Sequence, residues 1–155
     1  MRDWQTDWLS DQFQAVFWAA KRAMKEASDA AYGRHGVRNG QQFILMALWH
    51  EDGLTPGEIA RRLGLATPTV TKAATRMEAA GLVVRRPHPS DARLVRIHLT
   101  DRGRNLQKVL DDEMRRLSER ALASLSEQER ASFVRLLDQL HRNLVRGGEA
   151  DGGTA

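Results

Sequence analysis

Thr55-Pro56-Gly57-Glu58-Ile59-Ala60-Arg61-Arg62-Leu63-Gly64-Leu65-Ala66-Thr67-Pro68-Thr69-Val70-Thr71-Lys72 decides the fold, because it holds two helix starts with one stop between them. Thr55 reads as an N-cap, Pro56 sits where its missing N–H is harmless, and Glu58 reaches back to complete a capping box. Ile59, Ala60 and Leu63 make one apolar face, and Gly64 ends the helix. Thr67-Pro68 repeats the device, with capping as the main role of Thr67. The helix it opens runs through Val70, Ala73, Ala74 and Met77 to a stop at Gly81. Two short helices joined by so tight a turn form a helix-turn-helix.

Downstream the period changes to two. Residues 82–86 and 94–99 read as strands, with Val95, Ile97 and Leu99 alternating against Leu94, Arg96 and His98. Pro87-His88-Pro89-Ser90-Asp91-Ala92-Arg93 lies between them as a long turn, its two prolines unable to join a ladder. Thr100 caps a predicted helix over 101–124, with Leu106, Leu110, Met114, Leu117 and Ala121 on one face. Ser126-Glu127-Gln128-Glu129 is a second capping box. Its helix is expected to bury Phe133, Leu136, Leu137, Leu140 and Leu144. From Gly147 onward nothing remains to bury, so 147–155 is expected to be a disordered tail.

Upstream, Leu9, Phe13, Val16, Ala20, Met24, Ala27 and Ala31 recur at helical spacing over residues 4–32, and Trp4, Trp8 and Trp18 widen that stripe. Gly36 and Gly40 break it. The run 43–49, Phe-Ile-Leu-Met-Ala-Leu-Trp, belongs to a helix over 41–51 that is apolar nearly all round, which predicts a buried central helix. The expected class is therefore mainly α (an α+β winged helix-turn-helix) with six helices and a two-stranded β-wing. Its segments are 1–52, the DNA-facing lobe 53–100, two helices over 101–146, and the tail.

The 155 residues match one domain and include no cysteine, which excludes disulfides, thiolate metal sites and thiol redox switching. The longest apolar run is too short to span a bilayer and the N-terminus lacks the core of a signal peptide, so no membrane partner and a cytoplasmic location are expected. Net charge is +4, but its distribution is uneven. Residues 55–104 hold ten Lys/Arg against four carboxylates, or +6, and the remainder holds 14 against 16, or −2. A basic middle on a nearly neutral frame suits a polyanion.

A helix-turn-helix followed by a basic hairpin is the winged-helix arrangement, whose second helix presents side chains to the major groove of double-stranded DNA. With Val70, Ala73, Ala74 and Met77 turned inward, Thr69, Thr71, Lys72, Thr75 and Arg76 face outward, the hydroxyls as donors to bases and phosphates. The N–H groups at Thr67 to Thr69 offer a phosphate contact at the positive end of the helix dipole. Arg85, Arg86, Arg93 and Arg96 supply long donors on the hairpin. The structural alternative is a solvated edge hairpin protected by charge. Glu78 stands at no i,i+4 spacing from Arg76, and Lys72 reaches it only weakly.

Several stretches are similar to the winged helix of MarR-type (multiple antibiotic resistance) regulators: residues 54–64, Thr69-Val70-Thr71-Lys72, Arg76-Met77-Glu78, Gly81-Leu82-Val83, Arg86, and above all Pro89-x-Asp91-x-Arg93-Leu94-Val95…Leu99-Thr100-Asp101-Arg102-Gly103. Leu125-Ser126-Glu127-Gln128-Glu129-Arg130 resembles the start of the family's last helix. The resemblance covers residues 9–146. It implies a homodimer whose N- and C-terminal helices interlock, a repressor on a palindromic operator, Asp91 as anchor of the wing, and Arg93 as its partner or a minor-groove contact. It also implies release by a small aromatic or phenolic effector, for which Trp18, Arg22, His35, Phe43, Met46 and His50, with Tyr32, are the candidate lining.

Other classes find less support. The cysteine-switch subgroup is excluded, and five scattered histidines show no metal-ligand spacing. No nucleophile–base pair or phosphate-cradling glycine loop points to an enzyme, and no cofactor is implied. The alternative is a winged-helix protein–protein module without DNA binding, against which Lys72, Arg76, Arg85 and Arg86 argue.

Overall fold

A computed structural model describes the backbone of residues 4–150 and the side chains of 12–146. Helix α1 (Trp4–Gly33) leads through a glycine-bearing turn to α2 (Gln41–His50), then to α3 (Pro56–Leu63) and α4 (Thr67–Ala79). Strands β1 (Val83–Pro87) and β2 (Val95–Leu99) follow, then α5 (Asp101–Asn105), α6 (Gln107–Ala121) and α7 (Glu127–Ala150). The chain divides into two units, 1–117 and 118–155. Trp4, Trp8 and Leu9 of the predicted stripe have side chains outside the described residues, as does the whole of 151–155 in the predicted tail.

In the first unit the capping signals act as expected. The Thr55 side chain accepts from the Glu58 N–H, and the Glu58 carboxylate accepts from the Thr55 N–H at 2.7 Å. Helix α4 ends in a Schellman motif: Leu82 donates to the Met77 carbonyl and Gly81 to that of Glu78, both at 2.9 Å. Gly81 makes this possible with φ of +72°, and Met77 and Leu82 at the two ends of the motif are fully buried. Val70, Ala74 and Met77 of α4 join Ile59 of α3, Ile44, Leu45 and Leu48 of α2, Leu82 and Val83, Ile97 and Leu110 in one core.

The two strands pair antiparallel from Val83↔Leu99 to Pro87↔Val95. The far edge of β2 is covered at one residue, where Ile97 donates to Leu54 and accepts from Gly53. Pro87 was expected in the turn; it instead closes β1, because at the last rung the ladder needs no donor from it and His88 supplies the next bond to Leu94. Gly103 packs where no other residue fits: an added Cβ would stand 2.1 Å from the Leu82 carbonyl oxygen.

The predicted helix over 101–124 is two helices, which raises six to seven among the described residues. Thr100 does cap the first, accepting from the Gly103 N–H. The break at Leu106 has a long-range cause, since the Gly103 carbonyl accepts the indole N–H of Trp49 on α2 at 2.9 Å. The second helix stops at Ala121, three residues earlier than expected.

Helix α2 is not buried all round: Gln41, Gln42, Ile44, Leu45 and Leu48 are inside, while Phe43 is 50% exposed and Met46 is also outside. On α1, Phe13, Val16, Trp18 and Met24 are exposed. In the second unit the Ser126–Glu129 capping box forms as read. Its apolar stripe is not buried within the chain: Phe133, Leu136, Leu137 and Leu144 are exposed and Leu140 is half-buried. Helix α7 also continues through Gly147 to Ala150, because glycine costs a helix only about 1 kcal/mol per residue and no proline stops it.

Candidate nucleic-acid interface

Burial on α4 falls every third or fourth residue, at Val70, Ala74 and Met77, so Thr67, Thr69, Thr71, Lys72, Thr75 and Arg76 are left exposed together. Two details depart from expectation. Ala66, with extended backbone, is the N-cap and makes no side-chain bond; the tight turn brings the chain into the helix one residue early, so Thr67 does not cap. Pro68 has no N–H and Thr69 donates its own to the Ala66 carbonyl, so the expected cluster of free N–H groups shrinks to Thr67.

The threonine hydroxyls are also partly engaged. Thr71 donates to the Thr67 carbonyl and Thr75 to that of Thr71, each at 3.1 Å. A hydroxyl has one proton, so these two present acceptors and not donors to a ligand. Thr75 is engaged on both counts, since Nη1 of Arg85 donates to it at 3.3 Å.

Arg85 belongs to a clasp that the sequence did not reveal. Glu78 accepts its backbone N–H at 2.9 Å and its Nε at 2.8 Å, tying α4 to β1. These two bonds, the backbone one foremost, hold the Glu78 carboxyl below the usual range. A carboxylate on the second helix, seven residues before a strand arginine, was the available signal.

At the wing tip Asp91 accepts from the Arg93 backbone N–H and Nε, both at 3.1 Å, and from Nη2 at 3.3 Å. The Arg93 guanidinium, then its N–H, holds the Asp91 carboxyl below its ordinary value. Arg93 is thus the partner of Asp91 in the free chain, although its side chain remains 90% exposed. Arg96 approaches Nε2 of His88 at 3.1 Å. The other ring nitrogen, Nδ1, accepts the Ser90 backbone N–H at 3.2 Å. Among the described residues, Lys72, Arg76 and Arg86 keep exposed cations without a hydrogen-bond or ionic partner.

A helix-turn-helix with unpaired cations at Lys72 and Arg76, followed by a hairpin that carries Arg86 and a self-anchored tip, is the arrangement on which comparison with known proteins bears. The model of the MarR family matches residues 38–95, from the turn before α2 to the first residue of β2. Over those residues the chain is similar to the MarR family. It is 37% identical over 103 residues to the HTH-type transcriptional regulator TtmR of Methylorubrum extorquens (strain PA1), covering 66% of this chain and 53% of TtmR. The chain thus spans about half the length of that relative. The HTH-type transcriptional repressor YetL of Bacillus subtilis (strain 168) is 28% identical over 135 residues, covering 85% of this chain and 80% of YetL. Among solved structures, reduced AbfR bound to DNA matches with a TM-score of 0.69 and 26% identity over 91% of this chain and 97% of that one. A MarR transcriptional regulator from Methanosarcina mazei Go1 shares the fold, with a TM-score of 0.74 and 20% identity over 88% and 98% of the two chains.

The residues named for an effector are dispersed. Trp18 stacks under Lys21 at 4.6 Å and accepts no burial; Arg22, Phe43, Met46 and His50 are likewise exposed. His35 is half-buried, and its Nε2 stands 3.5 Å from the Glu113 carboxylate, which also accepts from Arg34 at 3.1 Å. Tyr32 is buried nearby, its hydroxyl pushed above the usual range by burial and then by Glu113. Among the described residues no group of three His, Asp or Glu could hold a metal ion, and no helix is long and apolar enough to cross a membrane.

Proposed function

We propose that this chain is a sequence-specific DNA-binding transcriptional regulator, and so a binding protein and not an enzyme. The observation that carries the reading is the exposed face of α4, where Thr69, Lys72 and Arg76 stand together opposite the core row, beside the unpaired Arg86 of the wing. Helices of this kind enter the major groove while wing cations contact backbone or minor groove. That reduced AbfR is recorded bound to DNA supports it by likeness.

The regulator works as a homodimer in the cytoplasm. Phe13, Val16, Trp18 and Met24 on α1, and Phe133, Val134, Leu136 and Leu144 on α7, are apolar surface that a second copy would cover. A twofold dimer calls for a palindromic operator with half-sites about one helical turn apart. Repression, the role named for YetL, is the expected direction, with release by a small aromatic or phenolic ligand near Arg22 or His35. By linkage such a ligand weakens DNA as much as DNA weakens it.

Titration of duplexes from the chain's own upstream region, across a range of salt, tests the reading. Affinity falls with a log–log slope of about −0.9 for each phosphate neutralised. Absence of binding to every duplex, or binding indifferent to salt, overturns it.

A further inference from the structure

Arg102 of the basic block is exposed, yet its guanidinium is engaged by backbone carbonyls of the fold. Arg102, the second residue of α5, donates from Nη1 to the Ala80 carbonyl at 2.6 Å and from Nη2 to the His35 carbonyl at 3.4 Å. Ala80 ends α4, so its carbonyl belongs to the set a helix leaves unpaired, at the negative end of the dipole. His35 belongs to the turn between α1 and α2, and its ring meets Glu113 of α6, which Arg34 also holds. Glycines shape the space around the fork. Gly36, with φ of +75°, would bring a Cβ to 2.9 Å from Nη2, and Gly81 would bring one to 3.9 Å from Nη1.

We propose that Arg102 is a positioning residue for DNA recognition, fastening the C-terminal end of α4 to the α1–α2 turn and, through His35, to Glu113. This rests on the DNA-binding reading given above. The physical case is one of leverage. Helix α4 has 13 residues and is about 20 Å long. Val70, Ala74 and Met77 hold its inner face; at its far end this guanidinium is the tie to the α1–α2 turn, beside the Thr100 hydroxyl on the Gly81 carbonyl and the Glu78–Arg85 clasp. A planar fork reaches two carbonyls on separate elements at once, which an ammonium point charge does not. Release of one end tilts the exposed Thr69–Lys72 half relative to the wing without altering a single group that faces DNA.

Arg102→Gln, Arg102→Lys, Arg86→Gln and Glu113→Gln, with the double variant of Arg102→Gln and Glu113→Gln, separate this from the alternatives. Duplex affinity is measured against salt, with melting temperature as a control. Arg102→Gln is expected to weaken binding about tenfold, the worth of one charge-assisted hydrogen bond, with the salt slope unchanged. Arg86→Gln is expected to lower the slope by about 0.9. Arg102→Lys restores affinity only in part, and the double variant loses less than the product of its two single losses. A slope that falls in Arg102→Gln as in Arg86→Gln makes Arg102 a phosphate contact and overturns the proposal, as does unchanged affinity. Amide exchange in the free protein gives an independent check: Arg102→Gln should speed exchange at Gly81 and Leu82 and leave Val70 unchanged. If no duplex is bound by any form, the DNA reading fails, and exchange alone decides the tie. Unaltered exchange at Gly81 and Leu82 overturns it.

Discussion

Residues 54–103 and the long helices α1 and α7 treat the same apolar side chains in opposite ways. In the former, Ile59, Val70, Met77, Leu82 and Ile97 are fully buried in a single chain; in the latter, Val16 is 63% exposed, Val134 59% and Leu144 70%. One region has its apolar row covered within the single chain, where Ile44, Leu45 and Leu48 of α2 and Leu110 complete the core. The other carries a core's composition without its complement, so its apolar surface is open to association. The lobe's stability should therefore be a property of the sequence alone, and that of the long helices a property of protein concentration.

The largest test of that contrast is Ile97→Ala, which opens a cavity where β2 meets Leu54 and α3. It should cost about 2–5 kcal/mol at every protein concentration, read from urea midpoints. A cost that vanished on raising the concentration would erase the distinction. Gly103→Ala comes next, since its Cβ would collide with the Leu82 backbone and force α5 away from β1. A loss of about 1–3 kcal/mol is expected from such overpacking, again independent of concentration.

The two regions each have a capping box, which permits a matched pair of smaller tests. Thr55→Ala and Ser126→Ala should each remove about 1 kcal/mol. The first loss should be constant across a dilution series and the second should vary with it. Both boxes hold their glutamate below the usual range, through the cap's N–H first and its hydroxyl second. A carboxyl lowered in the folded state stabilises fully above its unfolded pKa, about 4.3. That contribution fades as pH falls through the lower folded value. Glu58→Gln should thus narrow the difference between unfolding midpoints at pH 7 and pH 3; an unaltered difference would remove the box from the acid response. The smallest effect on the single chain belongs to Leu136→Asp. It should change the lobe's stability by no more than about 0.5 kcal/mol while converting the assembly to single chains in sedimentation. Unfolding of the lobe in that variant would show that the regions are not independent.

What could be read from the sequence follows the same division by range. Thr55–Glu58, Thr100–Gly103 and Ser126–Glu129 are pairs three residues apart, and their chemistry is complete within one turn. The helix pair, the hairpin and the outward set on α4 follow from periods of a few residues. Glu78–Arg85, Trp49–Gly103 and Arg102–His35 lie 7, 54 and 67 residues apart, and only the assembled topology brings them together. Those are the contacts that turn Arg85 from an expected ligand contact into a tie and give Arg102 a place in the fold. The break at Leu106 escaped notice for the same reason, since its cause lies on α2. Burial of the α7 stripe was misjudged differently: periodicity says that a face is apolar and does not say which molecule covers it.

The engagement of some side chains and the freedom of others on α4 bears on how such a protein can change its target. Thr69, Lys72 and Arg76 support no part of the fold, whereas Thr75 is bound to Arg85 and the row beneath is locked in the core. Mutation at the free positions breaks none of these ties, so on the proposed DNA-binding function a lineage can explore new operators there while the scaffold stays constant. Thr75 is the point at which that exploration should slow, because altering what it reads also loosens the strand beside it.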